Sequence, residues 1–554
     1  MRCCERLGRD VPVGSVRPSR CRILSASPYP LKREEAEDHR SASSVLVPSS
    51  IRAVPPQPHH DPVYITDTLL FDFQRCHRRA FLDKFGESQR RDAPSPYLRK
   101  LRQDSITHRS TTLDSQPTAR PDYDDGDWMR GAIATLDLMK RGVDRIAKPV
   151  LMLERAHGVR LVSCPDLLVK QPGISRFGPW IYVPTDVRLG KRPKLDYQII
   201  ATFQAYMASL VQASLVETSW LALRQRGVYG VNVVAMLPQM HTVLNGCIEM
   251  MRSRQEPEVF IAHNRCELCH WFSHCYDRAT DLQHLSLLPG VTTSRYVYLK
   301  RANITSLEAL AAATPKQLEP LPGFGREVAH KMVQQAQATL HRRALPHPLL
   351  AQAAIQSATP LLEPHELPTA PVELYFDIEA APEHNLVYLH GVLVVDRHAQ
   401  TDTFHALLAE SPDDEGEVWQ QFLDLVWQHP TAPIYHFCPF EVQTVQRLGS
   451  KYDTPLHWVE PLLDRFVDLH ERVTRTAVLP IESYALKSIA KWLGYQWQNP
   501  DANGAQSICW YADWQETGDR THLDAILRYN EDDCRATYRV KDWLVEFVAA
   551  HATH

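Results

Sequence analysis

The chain has 554 residues, of which 44% are hydrophobic and 23% charged, and a formal net charge of -4. That length is too great for one core and predicts roughly 3 to 4 folded units. No apolar run approaches the roughly 20 residues that cross a bilayer, and the charge balance excludes a surface uniformly coated in positive charge, so a soluble cytoplasmic protein without a membrane partner is expected. The N-terminal MRCCERLGRDVPVG has no apolar segment and does not read as a secretory signal. Twelve cysteines, three of them within eleven residues, predict a metal site plus ordinary buried thiols, not a secreted disulfide framework.

In chain order, residues 1–60 are rich in Ser, Pro and Arg without periodicity and are expected to be disordered. Residues 61–281 mix helices with strand-like runs such as PVLML, VRLVS and WIYVPTDV. The basic runs LRKLRQ and RLGKRPK in this part offer charge to a nucleic acid. Residues 282–342 read as purely helical, with capping boxes predicted at Thr305/Glu308 and at Thr314/Gln317, the second with Pro315 at the first helical position. Six prolines between 346 and 371 mark a linker, 343–371. Residues 372–550 open with three strand-like runs, VELYFDIE, LVYLHGVLVV and TDTFHALL, and then alternate helices with APIYHFC and FVDLH, an α/β pattern around a mixed sheet.

The stretch RCELCHWFSHC places Cys266, Cys269 and Cys275 at C-x2-C-x5-C, one ligand short of a four-coordinate zinc or a cubane cluster. The best upstream fourth is Cys76, in the helical stretch DTLLFDFQRCHRRAFL. A lone early cysteine followed some two hundred residues later by this triplet resembles the iron-sulfur staple of RecB-family nucleases of the AddB type, which have a PD-(D/E)xK restriction-endonuclease-like fold. The resemblance implies a [4Fe-4S] cluster on Cys76, Cys266, Cys269 and Cys275, with Zn2+ as the alternative. It also implies Mg2+ or Mn2+ on His108 (DSITHRS), Asp166 (SCPDLLV) and Asp186 (YVPTDVRLGK). The chain departs from the pattern at Ser163, where glycine is usual, and at Arg188, in the place of the catalytic lysine; Lys191 is the alternative base. The helical glutamine of the pattern is either Gln198 or Gln204, the latter with Tyr206.

The segment LEPLPGFGREVAHKM sets Gly323 and Gly325 immediately before an amphipathic helix and resembles a helix-hairpin-helix motif, whose backbone N–H groups approach a nucleic-acid phosphate. In the last part, Asp377 and Glu379 lie two apart on a strand and so on one side of it, Tyr529 and Asp533 lie four apart on a helix, and Glu441 falls at a strand-to-helix junction. This order resembles the RNase H-like exonucleases of the DEDD class, and most closely the YprB-type domain. It implies that Asp377, Glu379, Glu441 and Asp533 ligate divalent ions and that Tyr529 orients the attacking water. Asp468 and Asp532 read as a strand-end and a helix-surface charge. The two resemblances together imply a metal-dependent nuclease acting on single strands or strand ends of DNA or RNA; a nucleic-acid-binding adaptor with degenerate centres is the alternative.

Overall fold

Blocks of alternating apolar residues organise two separate five-stranded sheets in the computed structural model, which describes residues 62–551 apart from 115, 225–226, 349, 351–360 and 382–383. The segment 1–60 and the middle of the linker 343–371 therefore lie outside the described residues. The chain packs as two units, one of residues 62–84 and 104–256 and the other of 85–103 and 257–551. No described helix is long and apolar enough to cross a membrane.

The first unit begins with β1 (Val63–Thr66) and α1 (Asp67–Arg75), whose first turn is capped by the Thr66 hydroxyl accepting from Leu69 N at 3.1 Å. The helical run expected around Cys76 is broken at that residue, which is extended, and resumes as α2 (His77–Phe85). Next come α3 (Pro96–Leu113), α4 (Trp128–Lys140), β2 (Arg145–Ala147), β3 (Leu151–Arg155), β4 (Val159–Ser163), β5 (Leu167–Ser175) and β6 (Gly178–Arg188). They are followed by α5 (Leu195–Gln212), β7 (Thr218–Leu223), β8 (Gly227–Asn232) and α6 (Val233–Ser253). The larger sheet runs β2-β5-β6-β7-β8 and is antiparallel except for β6 with β7, while β1-β4-β3 forms a smaller sheet. Ile199, Ile200, Phe203, Met207 and Val211 of α5 are all buried, so this helix lies in the core rather than over it.

In the second unit the three clustered cysteines sit on and between α7 (His263–Cys266) and α8 (Phe272–Asp281). The helical region is α9 (Thr293–Arg301), α10 (Leu307–Ala312), α11 (Pro315–Leu318) and α12 (Gly325–His341). The capping box on Thr314 and Gln317 forms as expected. The other cap falls on Ser306 and not Thr305, because α10 starts at Leu307 and only the residue just before it can reach the Ala309 amide, 3.1 Å away.

The last part is β9 (Leu345–Pro346), β10 (Val372–Ala381), β11 (Leu386–Asp396), β12 (Thr401–Leu408), α13 (Glu415–Trp427), β13 (Ile434–His436) and α14 (Phe440–Lys451). It ends with α15 (Leu456–Leu463), β14 (Phe466–Asp468), α16 (Leu469–Thr476), β15 (Ala477–Val478), α17 (Leu486–Trp492), α18 (Gly504–Thr517) and α19 (Arg520–His551). The sheet order β12-β11-β10-β13-β14 is antiparallel over the first three strands and parallel over the last two pairs, which is the mixed sheet that the alternation predicts. Central β10 uses both faces. Leu374, Phe376 and Ile378 join the core with Trp419 and Phe422, whereas Glu373, Tyr375, Asp377 and Glu379 face the other way, toward α18 and α19.

The helical region is fastened to this domain by β9 pairing with β15, by Gln335 Nε2 donating to Leu479 O at 2.6 Å, and by Lys331 Nζ donating to Thr474 O at 3.0 Å.

Candidate active site

Period two on β10 brings Asp377 and Glu379 to the face on which α19 lies, and the helix brings Asn530 and Asp533 to the same place. Asn530 Nδ2 donates to Asp377 Oδ2 at 2.7 Å, Ser507 Oγ to Glu379 Oε2 at 2.8 Å, and Trp497 Nε1 to Asp533 Oδ1 at 2.7 Å. Glu441, in the first turn of α14, is buried, and its Oε2 has no hydrogen-bond partner, with His436 Nδ1 3.4 Å away. That nitrogen is held by Cys438 O at 2.7 Å.

Loss of hydration is the largest influence on these carboxyl groups, and their mutual repulsion adds to it. Asp377 is raised well above the usual carboxylate range by burial and then by Asp533, Glu379 and Glu441. Burial lifts Glu379 to about 8 against the Ser507 hydrogen bond, and lifts Asp533 to about 6 against those of Trp497 and Tyr529. Glu441 is raised as well, by burial, with His436 opposing. Burial and then Asp533, Glu379 and Asp377 push the Tyr529 phenol well above its ordinary value, so it stays protonated beside these carboxylates.

The structure thus brings Asp377, Glu379, Asp533, Glu441 and Tyr529 within electrostatic reach of one another. Among the described residues, no three His, Cys, Asp or Glu side chains are grouped closely enough to hold a metal ion as they stand. The geometry gives a reason for this: three of the carboxylates are turned onto the protein donors Asn530, Ser507 and Trp497.

Several residues that shape the cluster carry no motif. Asn530 fits only because its strand neighbour, paired opposite Asp377, is Gly391: a Cβ there would lie 1.6 Å from Asn530 Oδ1. Lys487, half-buried, lowers the pKa of Asp533 and donates to the carbonyls of Pro500 and Ala502. Asp468 caps α16, accepting from His470 N at 2.9 Å and also from Cys438 N at 3.1 Å, which is the strand-end role expected of it. Asp532 differs from its reading as a surface charge: it is buried, accepting from Tyr495 Oη at 2.9 Å and Gln498 N at 2.8 Å. Sequence spacing cannot separate it from Asp533, since adjacent helical positions differ only in which side the core occupies.

A second acidic cluster lies in the first unit. Asp166, between β4 and β5, accepts from Val187 N at 2.8 Å and pairs with Arg109 Nε at 2.7 Å. Asp186, on β6, pairs with Arg188 Nε at 2.5 Å and accepts from Gln204 Nε2 at 3.4 Å. Asp67, which the sequence reading missed, completes the cluster: its Oδ2 accepts from Cys164 N at 2.6 Å and from Gln204 Nε2 at 3.4 Å, and its Oδ1 is shut off from solvent without a partner. Burial raises Asp67 to about 7 and Asp166 to about 6, with Asp186 adding to both.

Of the two candidate glutamines, Gln204 belongs to the cluster, whereas Gln198 donates to Pro193 O and Tyr206 stacks edge-on against His241. His108 on α3 is half-buried with its Nε2 lacking a hydrogen-bond partner, and burial and then Arg224 and Arg109 lower its pKa. Lys191 is exposed in the turn after β6, which ends at Arg188.

Each cysteine of the predicted staple is half-buried. Cys76 Sγ accepts from Arg79 N at 3.3 Å in the first unit. In the second, Cys269 N donates to Cys266 O at 2.9 Å and Cys275 N to Trp271 O at 2.9 Å, so these three lie on successive turns. In the helical region Gly323 and Gly325 have φ of 82° and 63°, a backbone that favours glycine, and both are exposed, Gly323 just ahead of α12 and Gly325 at its first residue. Arg295 ties this loop to the one before α9, donating to Gly323 O and to Gly290 O, each at 2.8 Å.

Residues 374–545 match the RNase H superfamily, and residues 282–338 match the SAM-like helix-hairpin-helix tandem. No curated protein matches the chain. The protein is thus a multidomain α/β chain with a helix-hairpin-helix region and an RNase H-like domain built on a mixed sheet.

Proposed function

We propose that this chain is a metal-dependent nuclease that hydrolyses phosphodiester bonds of DNA or RNA from strand ends, with its hydrolytic centre in the RNase H-like domain. The observation that carries the reading is the crowding of Asp377, Glu379, Asp533 and Glu441 into one desolvated place, where their charges oppose one another. An all-oxygen donor set with a buried, unpartnered Glu441 Oε2 suits Mg2+ or Mn2+. Bound there, divalent ions supply charge for the phosphodiester oxygens and make water easier to deprotonate.

The chain's own residues divide the remaining work. Tyr529, a phenol held protonated by burial beside the carboxylates, orients the incoming water. Lys487, beside Asp533, supplies fixed positive charge toward the phosphate. The Gly323 and Gly325 loop holds a strand by its backbone without reading bases.

Residues 61–281 we read as RecB-like, with Cys76, Cys266, Cys269 and Cys275 as ligands of a structural [4Fe-4S] cluster or, in the alternative, of Zn2+. The spacing of the four cysteines and the succession of turns under the last three support this. A brown anaerobic preparation that Cys269→Ser bleaches is expected for iron-sulfur, while a colourless wild-type protein containing zinc would select the alternative. A cytoplasmic location belongs to the same reading.

End-labelled single-stranded DNA and RNA offered to the purified chain should be shortened in Mn2+ and left intact in chelator. Asp533→Asn should bind the strand and not cut it. Tight binding with no cleavage by the wild-type protein in Mn2+ would instead establish the adaptor, a reading that the arginine-paired carboxylates of the first unit favour.

A further inference from the structure

The acidic cluster of the first unit is the other place where a divalent ion would be sought, and its residues do not fit one. Asp186 and Arg188 are two apart on β6 and so share a face, which puts the guanidinium against the carboxylate at 2.5 Å. The same guanidinium lies over the Phe71 ring at 4.9 Å and the Tyr197 ring at 5.4 Å, which fixes its position. Burial opposes its charge, but Asp186, Asp166 and Asp67 together more than restore it, so it faces all three carboxylates. Arg109 supplies a second cation, on Asp166. Backbone amides occupy other acceptor positions: Val187 N on Asp166 Oδ2 and Cys164 N on Asp67 Oδ2.

We propose that Arg188 is the resident counter-ion of Asp67, Asp166 and Asp186, and that this cluster is closed by two guanidinium groups in place of a divalent metal. An arginine cannot yield its proton to make room, and a lysine at this position would have been a compact charge able to move aside. An incoming dication would have to draw Asp186 away from Arg188 while that cation stayed caged between aromatic rings a short distance off. The cluster then serves as an internal clasp. It joins the start of α1 through Asp67, the β4–β5 turn through Asp166, β6 through Asp186 and Arg188, α5 through Gln204 and α3 through Arg109, and it takes no part in hydrolysis.

The test counts ions and does not depend on nuclease activity, so its failure is separable from failure of the functional reading. The full chain carrying Asp377→Asn and Asp533→Asn, which disables the other carboxylate cluster, is titrated with Mn2+ and the bound ion is measured by electron paramagnetic resonance. The expected result is no tightly bound Mn2+ while Arg188 is present. Adding Arg188→Ala should create one site per chain, and Asp186→Asn should remove it again. One Mn2+ per chain bound with Arg188 in place, and lost on Asp186→Asn, overturns the proposal; so does an Arg188→Ala protein that folds and still binds none. The arm with Arg188 intact decides the matter even if Arg188→Ala fails to fold.

Discussion

Asp377→Asn is expected to abolish cleavage and, in metal-free buffer at pH 8, to yield a protein more stable than the wild type. Loss of a ligand to the proposed ions removes several kcal/mol of transition-state stabilisation, so activity should fall on the order of 1000-fold. The stability effect follows from the direction of the shifts. Asp377, Glu379 and Asp533 all have folded pKa values above their unfolded ones, with Glu379 at about 8 and Asp533 at about 6. As pH rises from about 4, the unfolded chain releases protons that the folded chain still holds, so stability declines with pH until the folded groups have also ionised.

The wild-type protein in chelator should therefore be more stable at pH 5 than at pH 8, with the share of the decline due to Glu379 complete just above pH 8. Asparagine keeps the shape of Asp377 and removes its charge from among the other carboxylates. One pKa unit corresponds to ~1.4 kcal/mol, and relief of at least that size is expected at pH 8. Mn2+ should reverse the ranking by stabilising the wild type selectively. Urea denaturation of both proteins at the two pH values, with and without Mn2+, gives the eight stabilities to compare. Wild-type cleavage rates in the variant, or a variant less stable than the wild type at pH 8 without metal, would refute the arrangement.

The parts of this site that were legible in the sequence are those that depend on local periodicity. VELYFDIE declares a strand with Asp377 and Glu379 on one side, and YNEDD sets Tyr529 and Asp533 one helical turn apart; both patterns hold whatever surrounds them. The partners that tune these groups were not legible. Asn530, Trp497, Ser507 and Lys487 reach the carboxylates only through the packing of α17, α18 and α19, and none of them stands in a recognisable motif. A signal for Asn530 existed in the glycine at 391: a glycine inside a buried strand marks close approach by something else, here a side chain.

Asp67 was overlooked for a different reason. An acid in the first turn of a helix already has a sufficient local explanation in the helix dipole, and nothing in the sequence says that the same carboxylate also meets Gln204 and Cys164. The helix expected around Cys76 failed at the cysteine itself, because propensity in QRCHRRAF favours a continuous helix and tertiary context overrides it.

Lys541→Met should destabilise the RNase H-like domain by ~3 kcal/mol, and the reason bears on how the active residues keep their register. Lys541 Nζ lies 2.6 Å from Glu373 Oε1, and both side chains are buried. Glu373 also accepts from Tyr375 Oη at 2.8 Å and pairs with Arg397, which reaches Asp542 in turn. Removing one partner of a buried pair leaves the other charge undercompensated, typically at 3 to 5 kcal/mol; Arg397 remains on Glu373, so the low end, about 3, is expected.

The pair works at a distance. From Glu373 to Asp377 the strand advances about 13 Å, and from Lys541 back to Asp533 the helix advances about 12 Å. With α19 antiparallel to β10, a contact fixed at one end therefore sets which helical residues stand over Asp377 at the other. Lys541→Met should weaken the placement of Asn530 and Asp533 as well as the fold, lowering cleavage more than the unfolded fraction alone explains. A double-mutant cycle with Glu373→Gln, read from denaturation midpoints and from cleavage of labelled strands at a temperature where all variants are folded, separates the two effects. Losses below about 1 kcal/mol for Lys541→Met would mean that Arg397 alone holds Glu373 and that the register of α19 is set elsewhere.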